Sequence, residues 1–184
     1  MKRVVVTWGR FNPPTIGHQK LIEKVASVAG RDDYFIFPTH THKKPKDPLP
    51  SDKKAEYMRM MFPAHAKRII HNRALNIIPK MLIHIQELGY DEIVWVAGSD
   101  RVSDYQQKWA EQYNGVDYYF PKFEVVSAGQ RDPDAEGASG MSASKMRAAA
   151  KEKNIQDFYS GIPDTLSKEQ KLELMKEVRK GMGL

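Results

Sequence analysis

Two hydrophobic periods alternate along this chain, and that alternation narrows its folds more than any other property. The run "VVVTW" near the N-terminus is continuous, apolar and β-branched, as a strand buried on both faces must be, and it predicts a strand over residues 2–8. Residues 17–29 then repeat Leu21, Ile22, Val25 and Val28 at helical spacing. "DDYFIFP" predicts a second strand ending at Pro38, and Ser51, a good N-cap residue, opens a helix that offers Met58, Met61 and Phe62 to a core. A short strand over 67–71 and a helix over 74–88, stopped by Gly89, come next. "DEIVWVA" is a strong strand signal, followed by a helix over 100–113 and a strand over 118–127 bent at Pro121. After the Gly-, Asp- and Pro-rich loop "AGQRDPDAEGASG", Ser142 caps a helix, and Ser167 with Gln170 forms a capping box before a terminal amphipathic helix.

Strands alternating with helices of ~10–15 residues imply an α/β chain: a Rossmann-like, doubly wound parallel sheet with helices on both faces. The expected organisation is one domain over residues 1–155 and a C-terminal helical extension over 156–184 packed on it. A chain of 184 residues buries enough surface for a conventional core. It has no cysteine, which excludes disulfides and thiolate metal sites. No secretory profile follows the first apolar run and no stretch approaches membrane-spanning length, so a cytoplasmic protein without a membrane partner is expected. The net charge of +6 agrees with a phosphate-rich ligand but is spread over most segments, so it selects no partner by itself.

In parallel α/β sheets, ligands bind beyond the carboxyl ends of the strands, where strand order reverses. The unusual residues of this chain fall at such places: 9–18, 39–46, 98–101 and, after the long loop, 142–147. "GRFNPPTIGH" is the densest. Gly9 after a strand and Gly17 at a helix start let a phosphate approach the backbone, where open N–H groups and the helix dipole are expected to meet it. Arg10 offers a fork of donors, and Thr15 and His18, three residues apart, are able to aim at one point. No Walker-type glycine–lysine loop is present. His40 and His42 raise a metal site, but with no cysteine and no evident third ligand they read as acceptor-binding or surface residues. Trp8, Trp95 and Trp109 read as packing residues.

"GRFNPPTIGH" resembles the first signature of the nucleotidyltransferase superfamily, with Gly9, Arg10 and Phe11 at the strand end and Thr15, Gly17 and His18 in the turn. "MSASKMR" resembles the second, through Ser142, Ser144 and Arg147, with Ala143 standing where that signature has its second serine. "KDPLPSDKKAEYM" is similar to the loop and helix after the second strand of nicotinamide mononucleotide adenylyltransferases, and "VAGSD" sits where that family keeps a nucleotide loop. The likeness covers roughly residues 1–155.

The resemblance implies transfer of a nucleoside monophosphate from a nucleoside triphosphate, ATP foremost, to a small phosphorylated acceptor such as nicotinamide mononucleotide, with pyrophosphate released. It implies that His18 donates to the reacting phosphates, supported by Thr15, and that Arg10 holds triphosphate oxygens. Ser142 and Ser144 bind the β- and γ-phosphates, Arg147 stabilises the leaving pyrophosphate, and Gly98, Asp100 and Arg101 border base and ribose. Lys46 is the favoured residue for the acceptor phosphate, ahead of Lys43 and Lys44. Mg2+ is expected to ride on the phosphates with few protein ligands. A homo-oligomer is compatible with the resemblance, and nucleic acid is not an expected partner. The alternatives are a cytidylyltransferase using CTP and a polyol or choline-type phosphate, and a non-catalytic nucleotide- or RNA-binding module. A fragment of a class I aminoacyl-tRNA synthetase is disfavoured, since no anticodon-binding module follows "MSASK".

Overall fold

The computed structural model describes residues 1–129 and 141–184; the rest of the expected long loop lies outside them. Four strands, β1 (Arg3–Gly9), β2 (Asp33–Pro38), β3 (Glu92–Ala97) and β4 (Lys122–Ser127), form one parallel sheet in the order β2-β1-β3-β4. The pairing of β1 with β3 runs from Arg3 opposite Glu92 to Val6 opposite Trp95, and β3 meets β4 from Glu92 opposite Lys122 to Ala97 opposite Ser127. The chain moves outward from β1 to β2, then returns to the other side of β1, which puts the reversal of strand order between β1 and β3. This is the α/β, Rossmann-like arrangement that the alternation predicts.

The described residues group into two compact units. The first holds Met1–Trp8, Leu21–Phe37 and the chain from Asn72 to the end of the first described stretch, and therefore the body of the sheet. Pleating puts Val5, Val94 and Val96 on one face, where they pack with Val25 and Ala29 of α1 (Ile16–Ala29) and with the partly buried Leu21 and Val28. Trp95 points to the other face and stacks on Tyr105 of α4 (Ser99–Tyr105), ring centroids 4.5 Å apart. Both faces of this unit's sheet are thus covered by helices, which explains why Val4, Val5 and Val6 are all fully buried. Beyond Tyr105 the helix widens into a π-helical stretch over Gln106–Gln112.

The second unit holds Gly9–Lys20, Pro38–His71 and the chain from Met141 to Leu184. Its helices are α2 (Ser51–Met61), α5 (Ala143–Lys151), α6 (Ile155–Ser160) and α7 (Lys168–Gly181), the last three packed on one another around Met146, Phe158, Leu174 and Val178. Ser142 caps α5 by accepting from Lys145 N at 3.2 Å, and both halves of the Ser167–Gln170 capping box are formed. The short α6 has too few residues to show a period in the sequence.

Several predicted elements differ. Ser51 is the first residue of α2 and not its cap; Pro50 precedes it, and the Ser51 hydroxyl turns to His71. Residues Pro63–Arg68 form a 3-10 helix where the sequence suggested a strand beginning at 67, because Pro63 sets a helical φ at its first position. Helix α3 (Ile78–Glu87) starts four residues late, since Pro79 at its head cannot sit inside a longer helix. Strand β4 starts only after Pro121, which has no N–H to give; Phe120 is held instead by both ends of the Asn114 amide, at 3.0 and 2.9 Å.

Candidate active site

Gly9 closes β1, and its carbonyl accepts from Thr39 N at 2.8 Å, which ties the exit of β1 to the exit of β2. Phe11 follows with φ +50°, a left-handed conformation that is strained for a bulky residue, while its ring is buried. That conformation turns the ring under His18, edge to face, with centroids 4.9 Å apart. The wholly buried Asn12 side chain grips the Leu49 backbone, donating to its carbonyl at 3.1 Å and accepting from its N–H at 2.9 Å.

Thr15 is 1% exposed and all its polar groups turn inward. Its N–H donates to His18 Nδ1 at 3.0 Å, so Nδ1 is an acceptor and the neutral ring carries its proton on Nε2. Its hydroxyl accepts from Gly17 N at 3.1 Å, and its carbonyl from His18 N and Gln19 N at 3.0 and 3.2 Å. Ile16 N donates to Gly161 O at 2.9 Å. The first four N–H groups of α1 are therefore all engaged within the protein, which corrects the expectation that they stand open to an anion. A helix start needs an acceptor for these donors, and here Thr15 supplies it. Thr15 acts on His18, fixing which nitrogen is the donor. Gly17 has a corresponding reason: a Cβ there would stand 3.3 Å from Thr15 Oγ1 and 3.5 Å from the Met141 carbonyl.

The second motif lies against the first. Arg147, on α5, donates from Nη1 to the Asn12 carbonyl at 2.8 Å, across 135 residues of sequence. Ser142 precedes that helix, Ser144 is exposed in its first turn, and among the described residues the N–H groups of Ala143 and Ser144 have no acceptor. Arg10 is exposed beside this cluster's turn. Thus Gly9, Arg10, Phe11, Thr15, Gly17, His18, Ser142, Ser144 and Arg147 belong to one unit, with Phe11, Thr15, His18 and Arg147 linked through contacts of the same turn.

Lys46 lies in that unit too, exposed in the turn that Lys43 and Asp47 close by donating to each other's carbonyls at 2.9 and 2.8 Å. Gly98, Asp100 and Arg101 belong to the sheet unit. Gly98 is the N-cap residue of α4 directly after β3, its carbonyl accepts from Arg101 N at 2.9 Å, and Asp100 and Arg101 are exposed.

Two clusters escaped the sequence reading. His40 stacks on His71, centroids 5.2 Å apart, and His71 Nε2 lies 3.1 Å from Ser51 Oγ; His42, two residues after His40, is exposed. Lys54 is completely buried and donates to the Thr39 carbonyl at 2.6 Å. Burial pushes its ammonium down to about 8, Asp47 opposes that shift and Arg10 adds to it. Helical spacing held the signal, since Lys54, Met58 and Met61 share the buried face of α2. Among the described residues no group of three His, Asp or Glu side chains is placed to hold a metal ion.

The motif turn, the serine-capped helix and the guanidinium that bridges them match a known pattern over most of the chain: the cytidylyltransferase-like family model covers residues 6–159. The chain belongs to the cytidylyltransferase-like family. This family member is similar in structure to a Vibrio parahaemolyticus protein described as a nicotinate-nucleotide adenylyltransferase, at 19% identity and a TM-score of 0.62, covering 94% of this chain and 99% of that one. It is also similar to the nicotinic acid mononucleotide adenylyltransferase of Plasmodium falciparum complexed with APC, at 16% identity and a TM-score of 0.58, over 96% and 98% of the two chains. The same Plasmodium falciparum enzyme complexed with NaAD matches at 18% identity and a TM-score of 0.55, over 96% and 98%. At such identities these likenesses establish the Rossmann-like fold. No curated protein matches this family member by sequence. Among the described residues no helix is long and apolar enough to cross a membrane.

Proposed function

We propose that this nucleotidyltransferase-like protein transfers AMP from ATP to the phosphate of a small acceptor, a pyridine mononucleotide foremost, and releases pyrophosphate. The observation that carries the reading is the Arg147–Asn12 contact, which brings the second motif's cation onto the turn that orients His18. An acceptor phosphate oxygen attacks the α-phosphorus in line, the new P–O bond forms as the bond to pyrophosphate breaks, and no covalent enzyme intermediate is needed. The protein's part is to hold two anions together and to stabilise charge on the transferring and leaving groups. His18 donates through Nε2 to the reacting phosphate, its tautomer fixed by Thr15 N–H. Arg10 and Arg147 take phosphate oxygens, and Ser142, Ser144 and the open N–H groups at the head of α5 receive the distal phosphates.

Lys46 takes the acceptor phosphate. Mg2+ would be held as a counter-ion carried by the nucleotide, because among the described residues no three His, Asp or Glu side chains are placed to hold a metal ion. ATP is favoured because the structural neighbours are adenylyltransferases; the family description keeps CTP with a polyol or choline-type phosphate as the second reading.

The test is pyrophosphate release from ATP or CTP with nicotinamide mononucleotide, nicotinic acid mononucleotide, flavin mononucleotide, phosphopantetheine and polyol phosphates. Release with ATP and a pyridine mononucleotide is expected. Release only with CTP moves the assignment to the second reading, and none with any pair removes the enzyme reading.

A further inference from the structure

The buried ammonium of Lys54 has a geometry that a spacer does not need. A methionine of similar volume would fill the space without the cost of withdrawing a charge from water. The charge does two things that a thioether does not. It donates to the Thr39 carbonyl at 2.6 Å, with the Thr39 hydroxyl at 3.4 Å, while Thr39 N donates to Gly9 O at 2.8 Å, so the residue leaving β2 is held from both sides. Through space it also attracts Asp47, a 4% exposed carboxylate whose Oδ1 has no hydrogen-bond partner among the described residues. Asp47 closes the turn that carries Lys46. The charged groups acting on Lys54 come from two other segments: Asp47 attracts it from the Lys43–Asp47 turn, and Arg10 repels it from the turn after β1.

We propose that Lys54 is a positioning residue for the anion-binding side chains. Its ammonium hydrogen-bonds the Thr39 carbonyl at one end of the segment that presents Lys46 and attracts the buried Asp47 carboxylate through space at the other end, while the Arg10 guanidinium stays exposed, where a phosphate meets it. The role deepens the proposed phosphate-to-phosphate transfer and rests on it: the acceptor is a phosphomonoester held by cations whose places a buried cation sets. Lys54 itself, with no exposed surface, does not touch the substrate.

The test compares Lys54→Met, Asp47→Asn and the double variant with the parent by two readouts. The first is the rate of trypsin cutting after Lys43 and Lys46, which needs no activity. Lys54→Met leaves Asp47 buried and uncompensated, so cutting accelerates about ten-fold, and the neutral double variant returns toward the parental rate. The second is steady-state kinetics with ATP and whichever phosphomonoester the pyrophosphate screen selects. Lys54→Met raises the acceptor KM about ten-fold with kcat within about three-fold, and the double variant recovers most of that KM. Parental cutting rates in Lys54→Met, or a double variant no better than the single, overturn the proposal. If Lys54→Met does not fold, Asp47→Asn carries the test alone, because it must loosen the same turn. If the parent releases no pyrophosphate, the transferase reading fails while the trypsin comparison still decides whether Lys54 holds the turn.

Discussion

Gly181, the last residue of α7, meets the segment between the Lys46 turn and α2 so closely that no other residue fits. A Cβ added there would stand 1.8 Å from the Pro48 carbonyl oxygen, 2.5 Å from its carbon and 2.7 Å from its Cα, all backbone atoms that cannot swing aside as a side chain does. To reach ordinary contact the helix end or Pro48 must move by more than an ångström. In an open helix Gly→Ala stabilises by ~1 kcal/mol, whereas forcing a methyl into packed structure costs ~1–3 kcal/mol and more against rigid atoms. We expect Gly181→Ala to lose about 2 kcal/mol net, which for a chain of this size lowers the melting temperature by ~4–8 °C. Thermal unfolding followed by circular dichroism reads this directly. Since Pro48 follows Asp47, the acceptor KM should rise while the ATP KM stays near the parental value. A Gly181→Ala protein that melts at or above the parental temperature refutes the contact and, with it, the idea that α7 supports the Lys46 turn.

Asn12→Ala removes both hydrogen bonds to the buried Leu49 backbone, and each orphaned group costs ~1–3 kcal/mol, so the urea midpoint should fall clearly with the m-value unchanged. His18→Ala should lower kcat by ~100- to 1000-fold, the usual effect of removing one preorganised donor, with the far-ultraviolet spectrum retained; parental turnover would contradict the site. The stability of the protein should also carry a Lys54 signature in pH. Its folded pKa of about 8 lies below the ordinary lysine value of 10.5, so the folded state binds fewer protons than the unfolded one between those values. The unfavourable contribution is fully present below pH 8 and is relieved as pH rises toward 10.5. The urea stability of the parent should therefore gain on that of Lys54→Met by about 2 kcal/mol between pH 8 and pH 10, and a constant difference would show that Lys54 is not held below its ordinary value.

The strands β1 and β3, the caps of α5 and α7 and the Thr15–His18 turn were legible because each rests on short-range chemistry: a β-branched run, a hydroxyl before a helix, a glycine beside a histidine. What escaped depends on partners far along the chain. "SDKK" looks like a solvated run, yet Lys54 is completely buried while its neighbour Lys53 is exposed, because only one of them lies on the Met58–Met61 face. In the sequence His40 pairs by eye with His42, two residues along, but its ring partner is His71, brought back by α2 and the 3-10 helix. The open N–H groups expected at α1 failed for a related reason. Thr15 and the distant Gly161 carbonyl supply acceptors that no local pattern announces.

The bond from Arg147 to the Asn12 carbonyl carries a consequence for how the protein comes into being. Ribosomes add ~5–20 residues each second, so roughly ten seconds separate the emergence of the histidine turn from that of its guanidinium partner. Through that interval the histidine turn is without the Arg147 contact. The contact that joins the two motifs therefore forms late, only after the helix beginning at Ala143 has been made.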